Sequence, residues 1–230
     1  MTHLLSKSKY IRGLQCERAL WLDVHEPRLA RYTAEQMRRF DRGRDFEYAF
    51  KSHFPDGIDL SAELKHNVDL YPARTAELLD KGDGVALFEA GFLYDDVLVL
   101  ADVVQQREDG TLDIYEVKSG TALSETYRRD AALQHYVISH CREVHSFSIV
   151  YNGMDGENGI NGQDRPFAIV DLTLDLAAEG DRIAANIAEM KTIVRATAEP
   201  DTPTGQHCLT PYACPYQHHC QQGVRQLALF

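Results

Sequence analysis

Residues 97–118 read VLVLADVVQQREDGTLDIYEVK, and the fold is decided by how this stretch runs and turns. Residues 97–105 are a strand-forming run of Val and Leu that a single charge, Asp102, interrupts. Arg107-Glu108-Asp109-Gly110 has turn chemistry, and residues 111–118 resume with Leu, Ile, Tyr and Val. Upstream, VALFEAGFL (residues 85–93) is a third such run, set off by Tyr94-Asp95-Asp96. Three apolar runs joined by short turns predict a three-stranded meander. The runs carry acids at strand positions, among them Glu89, Asp102 and Glu116. A charge within an apolar strand is costly unless it is paired or binds a metal. Glu116 and Lys118 lie two apart and therefore share one face of the sheet. Asp102, on the neighbouring strand, can reach the same point.

Working outward, residues 124–141 read as a helix with Ser124 as its N-cap. A strand follows at 145–151, then a Gly/Asn/Asp loop at 152–165 and a strand at 167–172. The helix at 180–198 places Ile183, Ile187, Met190 and Val194 on one face, and Pro200, Pro203 and Gly205 end it. Toward the N-terminus, residues 11–24 place Leu14, Leu20, Trp21 and Val24 near helical spacing, which predicts a helix holding Cys16. Residues 33–53 read as a second helix, broken by FPDG at 54–57. No internal repeat is visible. The order predicts an α/β domain with a mixed central sheet flanked by helices.

A chain of 230 residues with 44% hydrophobic content can build one sizeable core. It contains no apolar run of about 18 residues, so no membrane span is expected. The polar start carries no apolar stretch of signal-peptide length, so a cytoplasmic, reducing setting is expected. Five cysteines in such a setting are better metal ligands than disulfide partners. The formal net charge of −11 argues against a nucleic-acid partner when taken alone. The charge is uneven, however: Met1 to Asp45 holds ten basic residues against six acids, a local balance of +4. That region can track a phosphate backbone or serve as a solvated helical face.

Two carboxylates and a backbone carbonyl suit Mg²⁺ or Mn²⁺, hard ions that prefer oxygen ligands. Such an ion polarises a phosphodiester and acidifies a bound water, and Lys118 would position that water or offset charge on the phosphate. An ordinary meander with a surface Glu–Lys pair gives the same local pattern. The cysteines form a second constellation. Cys208, Cys214 and Cys220 are spaced C-x5-C-x5-C in a segment of turn formers and aromatics, and Cys16 lies almost two hundred residues earlier. Four thiolates suit an iron–sulfur cluster or tetrahedral zinc. The spacing is wider than in usual zinc knuckles, while His207, His218 and His219 keep a Cys/His zinc site open. Cys141 reads as a core residue.

LADVVQQREDGTLDIYEVKSG, followed by DAALQHYVISH, resembles the RecB-type branch of the PD-(D/E)XK nucleases. The resemblance implies a restriction-endonuclease-like core. It implies that Asp102, Glu116 and the Val117 carbonyl hold Mg²⁺ or Mn²⁺, with Glu89 assisting, and that Lys118 is catalytic. Gln134 and Tyr136 would orient the site or the DNA, and Asp130 stands where relatives often carry an Asp. Many relatives place a metal-binding His a few residues after a Gly on an N-terminal helix. Here Gly43 is followed by Glu47, and His53 lies too far on. Either Glu47 replaces that His or this branch does without it.

One N-terminal and three C-terminal cysteines around such a core resemble the iron–sulfur nucleases of the AddB and CRISPR-associated Cas-four group, as does the opening LSKSKYIRGLQCERALWL. The resemblance implies a [4Fe–4S] cluster on Cys16, Cys208, Cys214 and Cys220, with Zn²⁺ as the alternative. It implies one nuclease domain over residues 1–223. Within it, 1–84 is mainly helical, 85–198 is the catalytic core, and 199–223 is the cluster segment joined to Cys16. Residues 224–230 form a tail, in which Gln226, Leu227, Leu229 and Phe230 resemble the anchors of the bacterial sliding-clamp pentapeptide. The implied activity is a Mg/Mn-dependent deoxyribonuclease, an exonuclease on single strands or DNA ends. Its setting would be repair, recombination or CRISPR spacer acquisition, with CRISPR adaptation or recombination proteins as partners. The alternative is a catalytically silent, cluster-stapled DNA-binding adaptor recruited to the clamp.

Overall fold

The computed structural model describes residues 5–153 and 167–221, apart from the side chains of residues 39–42. In chain order the elements are Leu5–Ser6 (β1), Lys7–Gln15 (α1), Glu17–His25 (α2), Ala34–Lys51 (α3) and Ile58–Asp59 (β2). Next come Leu60–Leu64 (α4), Tyr71–Lys81 (α5), Leu87–Tyr94 (β3), Val97–Gln106 (β4) and Leu112–Lys118 (β5). The remainder are Glu125–Ser139 (α6), Val144–Asn152 (β6), Phe167–Asp171 (β7), Thr173–Ala177 (α7) and Gly180–Arg195 (α8). The protein is α/β, with helices flanking a mixed seven-stranded sheet ordered β2-β3-β4-β5-β6-β7. β1 adds to β4 outside that order.

The expected meander is β3-β4-β5, antiparallel throughout. β6 then pairs with β5 in parallel, because α6 carries the chain back across the sheet before β6 begins. The core is split by the sheet. On one face Val99, Ala101, Val104, Ile114 and Ile149 pack with Leu133 and Val137 of α6 and with Ile187 and Met190 of α8. On the other, Phe46 and Phe50 of α3 pack with Phe88, Val103, Val117, Val150 and Phe167.

Two features of β4 position everything that follows. The first is a break in the pleat. Successive side chains of a strand point to opposite faces, so residues 101 and 103 should share one. Instead Ala101 lies in the larger core and Val103 in the smaller. β3 makes the same change of phase, with Phe88 in the smaller core and Ala90 in the larger. The register Phe88↔Val103 and Ala90↔Ala101 is kept, so the two breaks face each other at Glu89 and Asp102. Glu89 takes φ +55°, a left-handed conformation that a non-glycine residue rarely adopts inside a strand. The second feature is a gap. β3 covers one edge of β4, and the other edge is shared by β1, at Val97 and Leu98, and β5, from Val103 onward. Between those pairings, Val99 to Asp102 meet no strand on that edge among the described residues.

The helix expected over 11–24 is divided at Cys16, whose φ/ψ of −166°/123° are extended. Hydrogen bonding continues on both sides of the break. The Cys16 N–H donates to the Arg12 carbonyl at 2.9 Å, and the Cys16 carbonyl accepts from the Leu20 N–H at 3.0 Å. One extended residue therefore redirects the axis without orphaning a buried donor. The expected helix over 33–53 is α3, started by a capping box in which Thr33 and Gln36 exchange side-chain and backbone hydrogen bonds. Ser124 caps α6 through the Tyr127 N–H, as its position predicted. Among the described residues, no helix is long and apolar enough to cross a membrane.

α5 is held against the sheet where Gly91 of β3 lets Tyr71 approach. A Cβ on Gly91 would stand 2.4 Å from the Tyr71 Cβ and 2.9 Å from its backbone carbon. The Gly91 N–H also donates to Thr75 Oγ1 at 2.8 Å. Gly91→Ala should therefore lower stability by about 1–3 kcal/mol, the usual cost of forcing atoms into a packed core. Urea denaturation followed by circular dichroism measures it, and an unchanged midpoint would mean that α5 packs elsewhere.

Candidate active site

Asp102 stands opposite Glu116 on the register that pairs β4 with β5. It lies just past the last ladder pair, Val103↔Tyr115, and its side chain takes over from the backbone: Oδ2 accepts the Val117 N–H at 2.7 Å. Asp102 and Glu116 are both buried, at 8% and 1% exposure. Two lysines converge on them. Lys7, the first residue after β1, enters at the gap in the β4 edge, with Nζ 2.9 Å from Glu116 Oε1 and 3.9 Å from Asp102 Oδ1. Lys118 pairs with the same Glu116 oxygen and, at 2.6 Å, with Asp130 Oδ2 on α6. The Tyr127 ring lies 5.7 Å from the Lys118 ammonium.

On the α3 side, Glu47 and Glu89 are bridged by Lys51, whose Nζ is 3.0 Å from Glu89 and also pairs with Glu47 one turn earlier in its own helix. Carboxylate oxygens of Glu47, Glu89 and Asp102 all lie within 4.8 Å of one another. Among the described residues this is the one group of three or more His, Cys, Asp or Glu brought so close. An all-oxygen donor set of this kind suits a hard divalent ion. Glu47 thus stands where the sequence left a choice open, beside two of the expected ligands. Glu116 is not one of the three; its Oε1 pairs with the Lys7 and Lys118 ammonium groups. Val117 meets Asp102 through its N–H.

Burial and charge set the acidities in opposite directions. Burial, and then the neighbouring Glu116 charge, push Asp102 well above the usual carboxylate range, with Lys7 and Lys118 offsetting only part. Burial also works to raise Glu116, but Lys118 and Lys7 outweigh it and hold that carboxyl below its ordinary value. Both lysines are raised: burial opposes their charge, and Asp130 and Glu116 more than reverse it. Glu89 is raised by burial, which Lys51 only partly counters. Among the described residues, several buried polar atoms here have no partner: Glu116 Oε2, Asp130 Oδ1, and both Oε1 and Nε2 of Gln134. Native interiors rarely leave such atoms orphaned, so four of them on two adjoining elements mark a place for water or ligand.

Gln134 is fully buried one turn after Asp130, on the face of α6 that meets the cluster. Tyr136 is placed differently from the role foreseen for it. Two residues beyond Gln134 is about 200° around a helix, and Tyr136 packs instead on Tyr94 and His140. Tyr127, one turn before Asp130, is the aromatic beside Lys118. Lys7 and Lys51 were missed as site residues. Lys51 had a signal, standing four residues after Glu47 at helical pairing distance, whereas Lys7 reads as one of many basic residues near the N-terminus.

The cysteines lie where the two ends of the chain are tied together. The Gln15 amide donates to the carbonyls of His207 and Tyr212, both at 2.7 Å. Trp21 Nε1 donates to the Ala196 carbonyl at 2.9 Å, and the Arg31 N–H to the Pro215 carbonyl at 3.0 Å. Cys16 and Cys214 pack around a small core of Ala19, Leu22 and Tyr216. Burial raises the thiols of Cys16, Cys214 and Cys220, and the thiols add to one another's shift: Cys208 acts on Cys16, and Cys16 acts on Cys214 and Cys220. The Cys16 thiol also faces the Arg18 and Ala19 N–H groups at the start of α2, which favour a thiolate. Cys141 sits apart, with its thiol toward the Leu93 carbonyl. Gln226, Leu227, Leu229 and Phe230 lie outside the described residues.

No protein-family profile matches the chain, and no curated protein matches it. Among solved structures, one titled "Crystal structure of SSO0001" is similar over 95% of this chain and 85% of that one, at 12% sequence identity and a TM-score of 0.46. Fold and site together define an α/β protein whose central strands hold a buried carboxylate–lysine cluster.

The raised pKa of Asp102 has a consequence for the metal-free protein. The unfolded chain releases this proton at a lower pH than the folded chain does. Stability therefore falls as pH rises from the ordinary carboxylate value toward the native one. Asp102→Asn removes that charge. In chelator at neutral pH the variant should resist urea better than the parent, and the difference should close in acid. A less stable variant at neutral pH would show that the Asp102 charge is already well compensated.

Proposed function

We propose that the chain is a divalent-metal-dependent nuclease with a PD-(D/E)XK-type core, acting on DNA single strands or ends. The observation that carries this reading is the convergence of Glu47, Glu89 and Asp102 beside Glu116 and Lys118. When bound, Mg²⁺ or Mn²⁺ would supply a Lewis acid for the phosphoryl oxygen and an acidified water. Glu47, Glu89 and Asp102 would hold it. Glu116, held ionised by its lysines, fixes the Lys118 ammonium, and Asp130 anchors that ammonium from the helix side. Lys118 then has a set position from which to offset charge building on the phosphate. Gln134, one turn along α6 from Asp130, carries a buried amide without a partner among the described residues. A setting in repair, recombination or CRISPR spacer acquisition, and recruitment to a sliding clamp through the tail, belong to the same proposal.

The four thiols would hold a [4Fe–4S] cluster. Their spacing in the sequence, wider than in usual zinc knuckles, favours the cluster over a single zinc ion. It would close a loop of nearly the whole chain and so limit the freedom of the unfolded state.

Purified under anaerobic conditions with Mn²⁺, the protein should degrade labelled single-stranded DNA, and a chelator should stop it. Asp102→Ala and Lys118→Ala should each lose roughly 100-fold or more in rate while still binding DNA. Undiminished cutting by both variants would remove the mechanism, and DNA binding without cutting by the parent would favour a silent adaptor. The anaerobic protein should also be brown, and Cys16→Ser or Cys214→Ser should bleach it and lower its melting temperature. A colourless protein containing zinc would overturn the cluster assignment.

A further inference from the structure

α3 turns Glu47 and Lys51 toward the site and leaves another side of itself in water. Met37, Arg44 and Tyr48 follow at steps of seven and four residues, which keeps them in one line along the helix. All three are exposed, Met37 at 50% and Tyr48 at 77%, and Tyr48 is the most exposed aromatic among the described residues. The line runs into the site. Lys51 comes three positions after Tyr48 on the same side, and Glu47 lies about 100° round the helix from Tyr48. The helix that carries the line is fixed along its length. Phe46 and Phe50 are buried in the smaller core, and the Gln36 amide donates to the Ala213 carbonyl at 3.0 Å. Charge is gathered on the same stretch. Residues 28–45 hold six arginines against three acids, in a chain whose formal net charge is −11. Arginine collected beside the site of so acidic a chain is matched to a polyanion. Phosphates alone would call for cations only. An exposed ring and a thioether in line with arginine add the flat, apolar surface on which bases stack.

We infer that this line on α3 is the track by which an unpaired DNA strand reaches the site, with the Tyr48 ring stacking one base and Arg44 meeting the backbone beside it. The inference deepens the nuclease reading proposed above and rests on it for what happens at the end of the track. A duplex presents no bare base face, so the track favours single strands and frayed ends. Every base has a π-face, so the preference is for unpaired bases and not for a sequence. Tyr48 directly follows Glu47 in the chain. A base held on its ring therefore fixes which phosphodiester of the strand lies at the site.

Fluorescence anisotropy of the full-length protein in chelator, where nothing is cut, tests this with three labelled probes: oligo-dT, the same strand paired with its complement, and an abasic strand of equal length. The wild-type protein should bind oligo-dT most tightly. Tyr48→Ala should weaken binding to oligo-dT about tenfold and leave the abasic strand unchanged, and Tyr48→Trp should restore the wild-type affinity. Arg44→Gln should weaken binding to both single strands and flatten its dependence on salt. If Tyr48→Ala binds oligo-dT as the parent does, or loses equally on the abasic strand, the inference is overturned. A Tyr48→Ala protein with unchanged DNA binding and an altered mass in sedimentation would overturn it too, and would assign the patch to a second copy of the chain. Cutting in Mn²⁺ judges the nuclease reading separately. A parent that cuts while Tyr48→Ala binds normally keeps that reading and loses the track. A parent that stacks the base but never cuts loses the nuclease reading and keeps the track, as part of a silent adaptor.

Discussion

Burial of like charge on facing strands is the constraint around which this molecule is arranged. Antiparallel pairing of β4 with β5 sets Asp102 against Glu116, and pairing of β3 with β4 sets Glu89 against Asp102. Three acids in adjoining positions of a sheet interior would repel and be poorly solvated. The structure answers with lysines from three separate parts of the chain: the start of α1, the end of α3 and the end of β5. It also breaks the pleat at the two facing acids, with Glu89 in a left-handed conformation. Strain of this kind persists only where surrounding packing over-determines it, and two cores press on either side of the break.

α1 links this charge cluster to the cysteines. Its first residue, Lys7, reaches Asp102 and Glu116, and Cys16 terminates it. Nine helical residues span roughly 13 Å, so the two loci are joined by a short rigid rod. Hydrogen bonds from Gln15, Trp21 and Arg31 then tie the helical N-terminal part to the chain's last segment. Under the proposed function, this makes the cysteine staple relevant to the nuclease site. Loosening the chain ends would free the helix that delivers Lys7.

The orphaned polar atoms have a direct bearing on what the site is for. Gln134 is fully buried yet has neither donor nor acceptor engaged. A glutamine placed only for stability would be satisfied, because an unpaired buried amide costs about 1–3 kcal/mol. The Glu116 Oε2 and Asp130 Oδ1 oxygens are likewise without a partner among the described residues.

The sequence by itself determined the meander, the acids within it, the α6 cap at Ser124 and the pairing of Glu116 with Lys118. Each follows from local rules: alternation, turn chemistry, capping, and a two-residue strand repeat. It also marked Glu47 as a residue out of its expected type. Only the tertiary structure decided that Lys7 and Lys51 complete the charge cluster, that Tyr136 turns away from it while Tyr127 turns toward it, and that Cys16 breaks its helix. Those outcomes depend on where distant segments cross. Residue 7 meets residue 116 because β1 and β5 divide one edge of β4, and no periodicity within either segment records that they share it.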